Sequence, residues 1–264
     1  MSNAEFKGHA ALITGAGSGV GRAVAMALAG AGAAVVLVGR REEKLRETAA
    51  LLPEGAQSLC VAGNVADLAF VEGLEARLRK EGLLPSFLVN NAGVHGEFTS
   101  IRESDPDRWR ETMRTNLEGP YLFARAFMGP MIERGWGRII NVSSAASIGA
   151  PGGLNSAYPL SKVALNFFTR QLAAELAGTG VTANAIHPGE VKTEMWQAIR
   201  DDAQSRGAEC EGARGWVSMV GESGGDPPEK AAALVMKLCG REMDAVTGEF
   251  HWIEGGIQAP RRVW

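Results

Sequence analysis

The chain has 264 residues, of which 45% are hydrophobic and 22% charged. That is an ordinary globular balance and enough length to bury roughly three-quarters of the unfolded surface. A net charge of −3 gives no basic footprint for nucleic acid. Cys60, Cys210 and Cys239 form no C-x-x-C pair and the four histidines are scattered. We therefore expect ordinary thiols in a reducing, cytoplasmic setting and no metal.

The start, Met1 to Lys7, is polar and has no apolar core of the kind a secretory signal needs; Ser2-Asn3-Ala4 reads as a cloning remnant. The first strand candidate is His9–Thr14. The uncharged run Ala23 to Gly39 falls short of the roughly 20 residues of a membrane span. Gly30 and Gly32 split it into a helix-like half and the strand Ala33–Val38. An amphipathic stretch, Glu42–Leu52, leads to the strand Gln57–Ala62, and a second, Leu68–Glu81, to Phe87–Asn90. Further on come Arg138–Val142, the helical pattern Lys162–Leu176, Thr182–His187 and Glu249–Ile253.

Most of these strands are apolar throughout rather than alternating, as expected of strands buried on both faces of a parallel sheet. Strand-helix alternation without a Pro- or Ser-rich linker predicts one doubly wound α/β domain over residues 1–264. Its sheet should be mostly parallel and seven-stranded, with helices on both faces. The exception is Lys192–Pro228, which is polar and rich in glycine. An insertion of that length is often a lid; the alternative is a permanently packed helical pair.

After the first strand comes Thr14-Gly15-Ala16-Gly17-Ser18-Gly19-Val20-Gly21, then a helix. Glycine is needed where a turn must be tight and the backbone must approach a pyrophosphate held at a helix N-terminus. The G-x-G-x-x-G fingerprint fails literally, since its last glycine would fall on Val20. The spacing Thr-Gly-x-x-x-Gly-x-Gly instead resembles that of the short-chain dehydrogenase/reductase family. Asn90-Asn91-Ala92-Gly93, Asn116, Tyr158-Pro159-Leu160-Ser161-Lys162, Pro188-Gly189 and Thr193 follow in that family's order, from about Gly8 to Gly256.

The resemblance implies a Rossmann fold, a nicotinamide cofactor and a small carbonyl or alcohol substrate. It places the cofactor against Gly15, Ser18, Gly19, Val20 and Gly21, then Asn64, Val65, Asn91, Ala92 and Gly93. Tyr158, Lys162, Pro188, Gly189, Val191 and Thr193 complete that set. Asn64 departs from the family's usual acid beside adenine, although an amide still bonds an adenine edge. An unphosphorylated ribose calls for Asp or Glu at the end of the second strand. Here Gly39 is followed by Arg40 and Arg41, which favours NADP over NAD, unless the two arginines only begin a solvated helix.

The family's catalytic set falls on Asn116, Ser144, Tyr158 and Lys162. A spacing of four puts Tyr158 and Lys162 on one helix face, with Pro159 tolerable in a first turn. A free phenol titrates near 10, and an ammonium nearby favours phenolate, so Lys162, together with the positive charge of an oxidised nicotinamide, is expected to draw Tyr158 down. Ser144 is favoured over Ser143 as the hydroxyl that polarises the carbonyl. Asn116 supports a proton path to the lysine by family resemblance, or is only a local kink. No G-x-S-x-G elbow surrounds the serine, which excludes a serine hydrolase.

His95, Glu190 and Trp196, with Ser144 and Tyr158, are candidate substrate contacts; the first three are alternatively surface decoration. Residues 192–228 carry four basic and seven acidic side chains, a poor docking patch for an acidic carrier. The alternative to an enzyme is a non-catalytic NAD(P)-binding regulator of the same fold, which the complete catalytic set disfavours. The family's habit implies a homotetramer or homodimer, with Trp252, Ile253 and Trp264 compatible with an interface. No membrane partner is expected.

Overall fold

The computed structural model describes residues 5–149, 154–205 and 210–257. Seven strands form one sheet: β1 Ala10–Thr14, β2 Ala34–Gly39, β3 Ser58–Ala62, β4 Phe87–Asn90, β5 Gly137–Val142, β6 Val181–His187 and β7 Phe250–Trp252. Their order is β3-β2-β1-β4-β5-β6-β7, and every neighbouring pair is parallel.

Each predicted strand is present, with ends shifted by two residues at most. The period of two explains how continuous apolar runs serve two cores. In β1, Ala11 and Ile13 pack on one face and Leu12 on the other; in β2, Val35 and Leu37 oppose Val36 and Val38. The first face is covered by α1 (Gly19–Gly30), α2 (Glu42–Ala50) and α9 (Pro228–Cys239). The second is covered by α3 (Leu68–Glu81), α5 (Gly119–Arg134) and α6 (Ala157–Glu175). Phe87 in the first core and Phe123 and Phe127 in the second are fully buried. No helix among the described residues is long and apolar enough to cross a membrane.

The strand order reverses direction between β1 and β4. A crevice opens there beyond the carboxyl ends of the strands, the usual ligand position in such sheets. The loops after β1 and β4 therefore face each other across the switch point.

The segment Lys192–Pro228 departs from the loose, glycine-relaxed loop expected of it. It contains two helices, α7 (Glu194–Ser205) and α8 (Glu211–Ser223). Gly212, Gly215 and Gly221 lie inside α8, while Gly224 and Gly225 end it with φ of +86° and +75°. Gly207 lies outside the described residues, as does Trp264. A further α-helix, α4 (Pro106–Met113), runs through a π-turn, Arg114–Glu118, into α5.

Candidate active site

A cleft of about 1640 Å³ runs from Gly15 over the switch point to Trp216. Its floor at one end is the turn after β1. Gly15 and Gly19 have φ of +66° and +51°, a region that favours glycine. A Cβ at Gly19 would stand 2.7 Å from the Thr193 methyl, and one at Gly21 would stand 2.3 Å from the Gly15 carbonyl. Gly21 thus closes α1 against the turn rather than lining the cleft, which is why the literal fingerprint is displaced by one residue. The Ser18 side chain does not cap α1, so the first-turn N–H groups keep their capacity for an anion.

Across the crevice, Thr14 ties the loop after β4 to β1. Its Oγ1 accepts the Asn91 and Ala92 N–H groups, each at 3.0 Å. The Asn91 Nδ2 returns bonds to the carbonyls of Thr14 and Gly15. Ser18, Gly19, Val20, Asn64, Val65, Asn91, Ala92 and Gly93 all line the cleft, with Pro188, Gly189, Val191 and Thr193 on the β6 side. The two arginines after β2 also line it and differ in their ties. Arg41 is bridged to Glu194 at the start of α7 at 2.5 Å, whereas Arg40 is 65% exposed and 3.7 Å from Glu111. The glycine cradle, the uncapped helix start and this cationic rim fit a dinucleotide.

Tyr158 and Lys162 stand in the first two turns of α6, because that helix begins at Ala157, five residues before the predicted start. The Lys162 Nζ donates to the Val142 carbonyl at 2.8 Å and lies 5.7 Å from the Tyr158 ring centre. Burial lowers its pKa from 10.5 to about 8. The two serines after β5 separate in role. Ser143 is buried and its Oγ donates to the Lys162 carbonyl, while Ser144 lines the cleft with Tyr158.

Asn116 sits in the π-turn, fully buried behind the cleft wall. Its Oδ1 accepts from the Val94 N–H at 2.9 Å, and its Nδ2 donates to the Val94 carbonyl and to Ser161 Oγ. A Cβ on Gly93 would reach within 3.3 Å of Asn116 Oδ1 and 3.7 Å of Lys162 Nζ. Both the asparagine and the lysine thus approach Gly93.

One expectation is overturned. Tyr158 is pushed up from its ordinary pKa, not down: burial dominates, the Ser144 hydrogen bond opposes it, and the charge of Glu190 adds to it.

The opposite end is walled by His95, Glu190, Trp196 and Trp216, so the three sequence-selected contacts do face the cleft. His187 is buried and its Nδ1 accepts the Ala145 N–H at 3.2 Å. Burial drives its pKa to about 4, which keeps it neutral. The helical pair is tethered over this end by several bonds. Phe98 N–H donates to Asp202 at 3.2 Å, Lys192 Nζ donates to the Gly221 carbonyl, and Trp216 Nε1 donates to Glu190. Asp226 was not anticipated. It is buried and holds the Glu190 backbone, but nothing in Gly-Gly-Asp-Pro-Pro distinguishes it from a turn residue.

The family model described as "short chain dehydrogenase" matches residues 9–204. The chain belongs to the short-chain dehydrogenase/reductase family. It is 35% identical to galactitol 2-dehydrogenase (L-tagatose-forming) of Cereibacter sphaeroides, with 94% of each chain covered. It is 32% identical to the 3-oxoacyl-[acyl-carrier-protein] reductase FabG of Escherichia coli strain K12, with 96% of this chain and 98% of that one covered. Among solved structures it resembles an actinorhodin polyketide ketoreductase with NADPH, at a TM-score of 0.85 and 31% identity over 94% of this chain and 97% of that one. As a short-chain dehydrogenase/reductase the protein is an NAD(P)-dependent oxidoreductase.

Proposed function

We propose that the protein reduces the carbonyl of a small molecule to an alcohol with NADPH, and runs the reverse reaction where the alcohol is supplied. The observation that carries this reading is the grouping of Ser144, Tyr158 and Lys162 on the wall of the glycine-lined cleft, with Lys162 Nζ 5.7 Å from the Tyr158 ring centre. Gly15, Ser18, Gly19, Val20, Asn91 to Gly93, Lys162, Pro188, Gly189, Val191 and Thr193 would hold the cofactor, with Gly21 shaping the turn. The chemistry a bound nicotinamide supplies is hydride transfer. Ser144 would hold the substrate oxygen, and the Tyr158 phenol would donate its proton to that oxygen as negative charge develops on it. Burial keeps the phenol protonated, which suits the acid role in reduction. Lys162, 5.7 Å from the phenol ring centre, and Asn116 would resupply that proton. Loss of NADPH absorbance with a panel of ketones and aldehydes tests the assignment; none with any of them would refute it.

NADP is favoured over NAD by Arg40, which is exposed on the cleft rim and only loosely paired. Arg40→Ala should weaken NADPH more than NADH, by about 1–3 kcal/mol for a charge-assisted phosphate bond. Equal loss for both, measured by cofactor titration, would assign Arg40 to the solvated helix start instead.

The helical pair of residues 192–228 is read as a lid whose tethers form and release. Closure would exclude water from Tyr158 and protect hydride transfer. Amide exchange in this segment should slow markedly when NADPH and a substrate analogue are both bound; equal protection with and without them would make it a fixed part of the wall. The exposed Tyr121 on α5, with Leu160, Val163 and Phe167 on α6, supports a homo-oligomer of dimeric or tetrameric order, and light scattering at the 28 kDa of a monomer would exclude it.

A further inference from the structure

Glu190 is a carboxyl group that the proton chemistry above does not use. It follows the Pro188-Gly189 turn, lines the cleft and is 5% exposed. Its backbone is clamped on both sides by Asp226: the Glu190 N–H donates to Asp226 Oδ2 at 3.0 Å, and the Glu190 carbonyl accepts the Asp226 N–H at 2.9 Å. Its Oε2 accepts the Trp216 indole N–H at 2.6 Å. Its Oε1 stands 3.7 Å from His187 Nε2, beyond hydrogen-bond reach, and has no hydrogen-bond partner among the described residues. Glu190 lines the same cleft as Ser144 and Tyr158. A rigidly held acceptor with one open oxygen in that cleft is built for recognition.

On the carbonyl-reductase reading, we propose that Glu190 is a specificity-determining residue that accepts a hydrogen bond from a substrate hydroxyl next to the reacting carbonyl, so that the preferred substrates are hydroxylated ketones. Two further polar atoms of the cleft-lining residues, His95 Nδ1 and Trp196 Nε1, are buried without partners among the described residues. A hydroxyl both donates and accepts, and so pairs with an imidazole, an indole N–H and either protonation state of a carboxyl. Burial raises the Glu190 pKa, which makes that versatility relevant. An ammonium pairs with only some of these groups, and a substrate carboxylate would be repelled.

The test compares kcat/KM for hydroxyacetone and butan-2-one, which differ by a hydroxyl in place of a methyl, using the full-length protein with NADPH. The wild type should favour hydroxyacetone by about tenfold to a hundredfold, the range for a hydrogen bond to a charged group. Glu190→Leu should bring that ratio close to one. Glu190→Gln keeps an oxygen for Trp216 but puts an amide nitrogen at the open position, and should lower the ratio by a smaller factor. It also preserves the test if the leucine variant does not fold. A wild-type ratio near one, a ratio that survives both substitutions, or pyruvate reduced as well as hydroxyacetone would overturn the inference while leaving carbonyl reduction intact. No NADPH oxidation with any ketone, although NADPH binds, would instead sink the underlying reading.

Discussion

Tyr158→Phe is expected to lower kcat by about a hundred- to ten-thousandfold, the usual contribution of a positioned general acid, with cofactor affinity nearly unchanged. The substitution removes only the hydroxyl. The ring keeps its place in the first turn of α6 and its position 5.7 Å from Lys162 Nζ. Ser144 keeps the Ala146 N–H, which its Oγ accepts at 3.2 Å, so the local loop should hold. A loss made only in the transition state lowers kcat and kcat/KM together. Single-turnover kinetics with the cofactor already bound isolates the step. A variant that keeps more than about a tenth of the wild-type rate would show that Tyr158 is not the acid, since the loss would fall below that range.

The direction of the Tyr158 shift was not legible in the sequence, and the reason is physical. The Tyr-x-x-x-Lys spacing gives proximity of a cation on one helix face, and proximity alone argues for a lowered pKa. Burial opposes it, and burial depends on what the rest of the fold packs around α6. The Glu190 carboxylate adds to the rise from a loop after β6, again outside the helix. The strands, by contrast, were readable almost to the residue. A strand buried on both faces is a short unbroken apolar run, a pattern read directly from the residues.

The helices α7 and α8 were hidden for a related reason. Gly212, Gly215 and Gly221 each cost about 1 kcal/mol in a helix relative to alanine, so local propensity reads as loop. The helical state is supported instead by tertiary bonds from Trp216 to Glu190 and from Lys192 to the Gly221 carbonyl. Neither partner can be paired from spacing. The cofactor turn lies between these cases: its glycines were legible, but the separate task of Gly21, packing against the Gly15 carbonyl, appears only in three dimensions.

Lys162→Met should abolish most activity and, in the cofactor-free protein, raise stability at neutral pH. The lysine is 4% exposed, and burial brings its pKa from 10.5 to about 8. Below pH 8 the ammonium is present in both folded and unfolded chains, and the folded state carries a penalty of roughly 3 kcal/mol at 1.36 kcal/mol per pH unit. Methionine removes that penalty at similar volume. It also strips the Val142 carbonyl of the 2.8 Å bond from Nζ, a loss of about 1–3 kcal/mol, so the net gain at pH 7 is about 1 kcal/mol. The sign reverses with pH. Between pH 8 and 10.5 the unfolded chain binds a proton at this lysine that the folded chain does not, so wild-type stability rises relative to the variant. Near pH 10.5 most of the ammonium penalty is gone, the lost carbonyl bond remains, and the variant should be the less stable. Urea unfolding of both proteins at pH 7 and pH 10.5 measures the crossover. A difference that does not change with pH would mean that the buried ammonium is fully compensated in the free enzyme. The expected crossover would mean that the site holds its cation at a cost in folding stability, as functional sites often do.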